Sequence, residues 1–309
     1  MSRSQEDDAT DARIDLASLD AYSVTRYANM TFPAYRATLL RRLNTGKVVA
    51  CGAQLAGRPV GLAMAEDVGR QDRVLRSIYV APELRGRALA TRLLSSIEDV
   101  CAARGWETLR AVFMEGPEKR TDLRGLIRKS AWSEPELRTH VVGLPLDRIQ
   151  EASWMRRRRP LPPDFQVFPW KELKPEEEAT LRDDQQKSGW PDPEVFPFYY
   201  GPRFEPHTSF GVRYRGRVVG WVVNHEYDER TLRFTCSFLR EDLQKLGRLV
   251  ELYARSVERM RSTTAFERGI LTVPVRFPAM VAFARRHLMP FSDDVRATLG
   301  TRKTLRRGP

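Results

Sequence analysis

At 309 residues the chain is long for one hydrophobic core and comfortable for two, and no run of about 18 apolar residues suggests a membrane-spanning helix. Its formal charge of +12 and pI near 9.9 call for an anionic partner (nucleic acid, a phosphorylated cofactor or an acidic substrate) or reflect high arginine usage with no partner at all. Three cysteines, Cys51, Cys101 and Cys236, are isolated in apolar surroundings, which fits buried thiols better than disulfides or a metal site.

The first stretch, MSRSQEDDATDAR, is polar and acidic and lacks the apolar segment of a signal peptide, so a cytoplasmic protein is expected. Patterning then predicts strands over about Val48 to Leu55, Val60 to Glu66 and Val74 to Val80. Pro82 ends the third, because proline cannot donate to a ladder. From Ala88 the apolar residues Leu89, Leu93, Leu94 and Ile97 recur at helical spacing, predicting a helix to about Arg104, and a further strand follows over Thr108 to Phe113. The turn between strand and helix, Arg85-Gly86-Arg87-Ala88-Leu89-Ala90-Thr91, is small and basic. Unpaired amides at a helix start and the positive end of its dipole attract anions, and small side chains let a pyrophosphate come close.

Between Ile149 and Phe165 four arginines, Arg156 to Arg159, run into prolines, which reads as a linker over 151–165 joining a domain at 1–150 to one at 166–309. The arginines are a solvated connector or a contact for RNA or cofactor phosphates. Beyond the linker, strands are predicted near Ser209 to Tyr214, Val218 to His225, Leu232 to Leu239 and Ile270 to Val275, with a helix from about Leu243 to Met260. These repeat the first half. Gly57-Arg58-Pro59-Val60-Gly61 is matched by Gly216-Arg217-Val218-Val219-Gly220, 159 residues on, and the same offset carries Arg85 onto Gln244 and Leu93 onto Leu252. Gly105 and the strand after it pair with Gly269 at a slightly larger offset. The reading is an internal duplication. Hairpins followed by a strand-helix-strand crossover make each half an α/β unit: a mixed, mostly antiparallel sheet flanked by helices.

The segment from Val80 to Ala90 resembles the signature R/Q-x-x-G-x-G/A of the GCN5-related N-acetyltransferases, or GNAT superfamily, and the match extends to both halves. The resemblance implies two tandem GNAT-like domains, with acetyl-CoA as co-substrate. It implies that Ile78, Tyr79 and Val80 bind the pantetheine arm and that Arg85, Gly86, Arg87, Ala88, Leu89, Ala90 and Thr91 form the pyrophosphate cradle. Ala88 replaces the usual middle glycine and is expected to be tolerated if its φ is helical. In the second copy, Gln244-Lys245-Leu246-Gly247-Arg248-Leu249, Leu249 stands where the family has a small residue, marking the weaker cradle.

Neither usual proton-transfer residue of the family is present. The glutamate expected early on the signature strand is missing, and Ile127 and Ala284 occupy the position of the tyrosine acid. Three replacements follow from location. Glu115 is a base acting through a water or a solvated carboxylate; Tyr79 is a proton donor or a core residue; His225 is a proton carrier near neutral pH or a surface histidine. Trp190, Tyr199 and Tyr200, within a stiff Pro-rich aromatic segment, line an acceptor pocket or pack a loop. The resulting expectation is an N-acyltransferase acting on an amine of a small molecule or peptide. An aminoacyl-tRNA-dependent transferase and an inactive binding protein are the alternatives, and no metal is expected.

Overall fold

The computed structural model describes residues 13–36, 39–69, 72–115, 123–156, 160–244 and 247–305. The N-terminal acidic stretch to residue 12, Arg157 to Arg159 and Lys245 and Leu246 of the second turn lie outside the described residues. Two compact units are present, one formed by Met1–Leu137 with Thr298–Pro309 and the other by Arg138–Ala297.

The first half of the chain gives β1 (Ile14–Ser18), α1 (Pro33–Arg36), α2 (Leu39–Asn44), β2 (Val48–Leu55), β3 (Arg58–Gly69), β4 (Asp72–Val80), α3 (Leu89–Ala103), β5 (Thr108–Glu115), α4 (Leu123–Lys129) and β6 (Glu136–Pro145). There follow α5 (Leu146–Gln150), α6 (Ser153–Arg156), β7 (Phe165–Pro169), α7 (Pro175–Ser188), β8 (Phe210–Tyr214), β9 (Arg217–Asp228), β10 (Thr231–Leu239), α8 (Arg248–Thr263), β11 (Arg268–Pro274), α9 (Pro278–His287) and β12 (Asp294–Thr304). The sheet of the first unit runs β1-β2-β3-β4-β5-β12, and that of the second runs β6-β11-β10-β9-β8-β7. The strand that closes each repeat therefore lies in the sheet of the other unit's repeat: β6, from the first half, pairs with β11, while β12 neighbours β5.

The strand patterns are those of sheets covered on both faces. In the first unit, Val49, Cys51, Ala53, Ala63 and Leu75 pack beneath Leu89, Leu93, Leu94 and Ile97 of α3. The alternate residues Val48, Ala50, Leu62 and Met64 form a second layer with Val24 and Tyr27. The two hairpins at the repeated glycines are alike. Ala56 and Gly57, and Arg215 and Gly216, all have positive φ, as a two-residue primed turn requires, and glycine fills the second place in each. The three cysteines are free and buried, and burial pushes the Cys101 thiol up to about 12.

Two sequence expectations are corrected here. The segment 151–165 is not the place where the units part. Trp154, Met155 and Leu161 pack on the second unit's core, and the Trp154 indole donates to the His287 carbonyl at 2.9 Å. Apolar anchors outweigh the arginines and prolines around them. Gly105 and Gly269 are also not equivalent. Gly105 (φ +76°) follows the end of α3, whereas Gly269 lies inside β11, where a Cβ would meet the Phe234 ring at 2.9 Å. The strand registers instead put Arg110 opposite Val74 and Ile270 opposite Arg233, so the true offset there is close to that of the rest of the repeat.

Candidate active site

The site in the first unit begins where β4 loses a neighbour. β4 pairs with β5 in parallel at only two positions, Val74 with Arg110 and Leu75 with Ala111. Immediately afterwards β4 bulges: Leu75 faces Ala65 and Ser77 faces Met64, which leaves Arg76 as the extra residue. The strand continues to Val80 held by β3 alone. Ala81 N–H donates to Val60 O at 2.9 Å, so alternation turns the backbone groups of Val80, and of Ile78 before it, toward the edge that β5 has left. An extended ligand with amide groups can pair with that edge as a strand would.

At the end of β4 the chain enters the turn. Gly86 has φ +79°, and nothing lies within 4 Å of where its Cβ would be. Ala88 caps α3 in the left-handed region at φ 57°, ψ 8°. Its φ is thus not right-handed helical, contrary to the condition on which alanine was expected to serve; the alanine takes up glycine's conformation and bears a strain of roughly 1 kcal/mol. No side chain caps α3 and its first turn holds no acid. The first helical bond is Arg92 N–H to Ala88 O, which leaves the amides of Leu89, Ala90 and Thr91 without helical acceptors. Leu89 is buried and contributes backbone only, while Arg85, Gly86, Arg87 and Ala88 are exposed around this end. The cradle suits an anion.

Ala88→Gly removes the left-handed penalty, partly offset by the entropy of a more flexible unfolded chain. A gain of about 0.5 kcal/mol in chemical denaturation is expected, and a loss would show that Ala88 is not held left-handed.

Arg85 has a structural task that its sequence position did not disclose. Its Nε donates back to Val80 O at 3.1 Å, and in the second unit Gln244 Nε2 makes the same bond to Leu239 O at 2.7 Å. The first residue of the signature thus ties the turn to the strand in both copies. This explains why arginine and glutamine interchange there, since both carry an N–H of suitable reach. The second unit repeats the rest as well. β10 pairs with β11 only as far as Phe234 with Leu271, Thr235 is the bulge residue, and Gly247 caps α8 at φ +69°. Leu249, half buried against that unit's core, follows at the position of Ala90.

The proposed catalytic residues are dispersed. Glu115 ends β5, is about half exposed and is ion-paired with Arg124 at 2.8 Å. Tyr79 lies half buried on the β4 segment free of β5, opposite Leu62. Ile127 and Ala284, in the tyrosine position, are buried in the two cores. His225 belongs to the second unit, with Nδ1 2.8 Å from the hydroxyl of the bulge residue Thr235 and Nε2 buried without a hydrogen bond. Burial pushes the His225 imidazole below its usual range; the Arg203 backbone opposes this and the Arg233 guanidinium reinforces it. His140, in the same unit, is lowered by burial and by Arg285.

A histidine with a depressed folded pKa makes stability fall as pH drops, because the unfolded chain takes up a proton below about 6.5 that the folded ring resists. Urea denaturation at pH 7.5 and 5.5 is expected to show this loss, and His225→Gln to flatten it. An unchanged slope in the variant would remove His225 from the account.

The aromatic segment is folded onto its own unit. The Trp190 ring meets Phe238 edge-on at 5.3 Å, the Tyr200 hydroxyl donates to Glu194 O at 2.7 Å, and Arg276 clamps Asp192 and Glu194 at 2.7 and 2.9 Å. Tyr199 alone of the three projects outward, 68% exposed.

Sequence reasoning missed Glu66. It is a buried carboxylate on β3 that takes Arg42 on one oxygen and Arg76, the bulge residue, on the other at 2.7 Å. Its one signal was an acid interrupting an apolar strand at Ala65-Glu66-Asp67.

A central strand that parts from its parallel neighbour beside an uncapped, left-handed helix start occurs twice in the chain, once in each unit. Residues 18–120 match the model of the acetyltransferase (GNAT) family, and the fold is that of tandem GNAT proteins. A tandem GNAT protein from the clavulanic acid biosynthesis pathway is 15% identical, with 96% of this chain and 99% of that one covered at a TM-score of 0.66. A GCN5-related N-acetyltransferase from Sphaerobacter thermophilus is 16% identical over 96% of this chain and 97% of its own, with a TM-score of 0.56. At these identities the likeness establishes the fold. No curated protein matches the chain. No helix among the described residues is long and apolar enough to cross a membrane.

Proposed function

We propose that the protein is an acetyl-CoA-dependent N-acyltransferase whose first unit holds the donor. The observation that carries this reading is the joint geometry of β4 and α3: a strand edge open at Ile78 and at the Val80 N–H leads directly to an uncapped helix start with room at Gly86. The edge suits the amides of a pantetheine arm, and the turn suits its pyrophosphate. Bound there, acetyl-CoA supplies an activated acyl group as a thioester.

The chain's own contribution is mainly positioning, since holding two reactants in attack geometry removes much of the barrier to acyl transfer. Arg85 fixes the turn relative to Val80, and Leu89 anchors the helix beneath it. Proton transfer is assigned to Tyr79, which sits on the free segment of β4, in preference to Glu115, whose carboxylate is taken by Arg124. Tyr79→Phe is expected to lower kcat about 100-fold with the KM for acetyl-CoA unchanged; an unaltered kcat removes Tyr79 from the chemistry.

The reading as a whole is tested by titrating acetyl-CoA calorimetrically and following thiol release over a panel of small amines and peptides. Absence of binding overturns it. Binding without turnover on any amine supports an inactive GNAT-like binding protein. The aminoacyl-tRNA reading draws on the net charge of +12; of Arg156 to Arg159, Arg156 donates to the Glu151 carbonyl and the rest lie outside the described residues.

A further inference from the structure

The Arg42, Glu66 and Arg76 cluster has no role in holding the donor, and its position is telling. Arg76 is the bulge residue of β4, placed where β5 departs. The face of the sheet carrying α3 is filled by Leu89, Leu93, Leu94 and Ile97, and on the opposite face Glu66 continues the row of Leu62 and Met64 to the margin of the layer formed with Val24 and Tyr27. Arg42, from α2, reaches the same carboxylate.

The three side chains are built into a fixed arrangement. Glu66 is 9% exposed and spends one oxygen on each arginine: Oε1 on Arg42 Nη1 and Oε2 on Arg76 Nε at 2.7 Å. The Tyr35 ring lies under both guanidiniums, 5.7 Å from Arg42 and 5.9 Å from Arg76. A buried carboxylate and a shared aromatic face hold the two cations side by side. They remain reachable, at 37% and 30% exposure, and make no other hydrogen bond among the described residues. One negative charge against two positive leaves an excess of one, with the outer N–H groups of both forks unspent.

The second unit lacks the device. Where the first has Glu66 and Arg76, the repeat offset places His225 and Thr235, which bond to each other. The pair is therefore not a requirement of the fold.

We propose that Arg42 and Arg76 form an anion-binding pair that recognises a carboxylate or phosphate on the acceptor, so that the acceptor is an amine bearing an acidic group. The pair rests on the reading of this unit as an acyltransferase for its biological role, but its anion binding does not. Planar forks bind such anions through paired N–H bonds, and a bare ammonium is repelled by the net positive charge. Glu66 acts as a positioning residue for both arms.

The test has two arms. Without CoA, succinate, inorganic phosphate and the neutral succinamide are titrated calorimetrically at constant ionic strength. The wild type is expected to bind an anion and not succinamide; succinate alone marks a carboxylate site, phosphate alone a phosphate site. The triple variant Arg42→Gln/Glu66→Gln/Arg76→Gln removes the cluster without leaving a buried charge unpaired, and should weaken anion binding at least 10-fold. Arg76→Lys, which keeps the charge but loses the fork, serves as the second variant and should show an intermediate loss. In the second arm, acyl transfer from acetyl-CoA to amino acids is compared with transfer to their carboxamides. The triple variant should raise KM for the acids about 100-fold and leave KM for the amides unchanged, with kcat preserved. Equal binding of anions by wild type and variants, or no preference over succinamide, overturns the proposal. Anion binding in a protein that fails to bind acetyl-CoA retains the pair and rejects the acyltransferase reading alone.

Discussion

Gly220→Ala is expected to cost about 3 kcal/mol, lowering the melting temperature of the second unit by roughly 10 °C. A Cβ at Gly220 would lie 2.7 Å from Phe238 O and 3.1 Å from Leu239 Cα, both backbone atoms of the neighbouring strand β10. Neither can move without pulling β10 out of register with β9. The corresponding change in the first unit, Gly61→Ala, meets the tip of Leu93 at 2.7 Å and Tyr79 O at 3.2 Å. A leucine methyl can rotate away, so about 1 kcal/mol is expected there. The two glycines end the same repeated motif and were retained for different reasons. Thermal denaturation of both variants checks this, and equal losses would refute the assignment of the clash to backbone in one case and side chain in the other.

Ala90→Leu should abolish measurable acetyl-CoA binding in the first unit, weakening it by about 100-fold or more, while leaving the fold intact. Ala90 stands in the first turn of α3, two residues after left-handed Ala88, and is half buried on the core margin. Leucine is a good helix former, so the helix survives. A larger side chain beside the uncapped amides of the first turn is expected to crowd an anion held by them, which must come within hydrogen-bond distance. The second unit already carries this arrangement as Leu249, so Leu249→Ala in the same background is the reciprocal measurement. Calorimetric stoichiometry decides between the possibilities. Undiminished binding in Ala90→Leu would mean that the first turn is not the cradle, and a gain of a second site in Leu249→Ala would identify leucine as the obstacle there.

The two measurements bear on a wider point, that the units share a scaffold and differ in what is mounted on it. Both have the splayed central strand, the bulge, the backbone bond from the first signature residue and a left-handed helix cap. Only the first combines a small residue at the cradle's end with a charged cluster at its bulge. The repeat keeps the features that the backbone needs, and the side chains around the turn and the bulge differ between the units.

Much of this was legible in the chain. The period-two strands, the helical spacing of Leu89, Leu93, Leu94 and Ile97, the turn glycines and the offset between the halves are local signals, because each depends on residues a few positions apart. They placed the strands Val48 to Leu55 and Val74 to Val80 and the helix beginning at Leu89 almost to the residue. The uncapped helix start proposed to hold an anion was legible for the same reason, since the residues that form it are consecutive.

The remainder depended on contacts between distant residues. Nothing in the arginines and prolines near residue 157 showed that Trp154 would dock on the second core, and nothing in β6 or β12 showed that each would close the sheet containing the other half of the chain. Arg85 read as a phosphate ligand, and only the path of β4 into the turn brought its Nε to the Val80 carbonyl. Glu66 could not be distinguished from a strand-end acid until Arg42, 24 residues away, and the bulge at Arg76 converged on it. The sequence by itself determined the periodic elements, the repeat and the small, basic turn at the helix start, whose determinants are short-range. The tertiary structure decided which charges meet, which glycines are crowded and which strand edge is left open, because those outcomes are set by the packing of segments far apart in the chain.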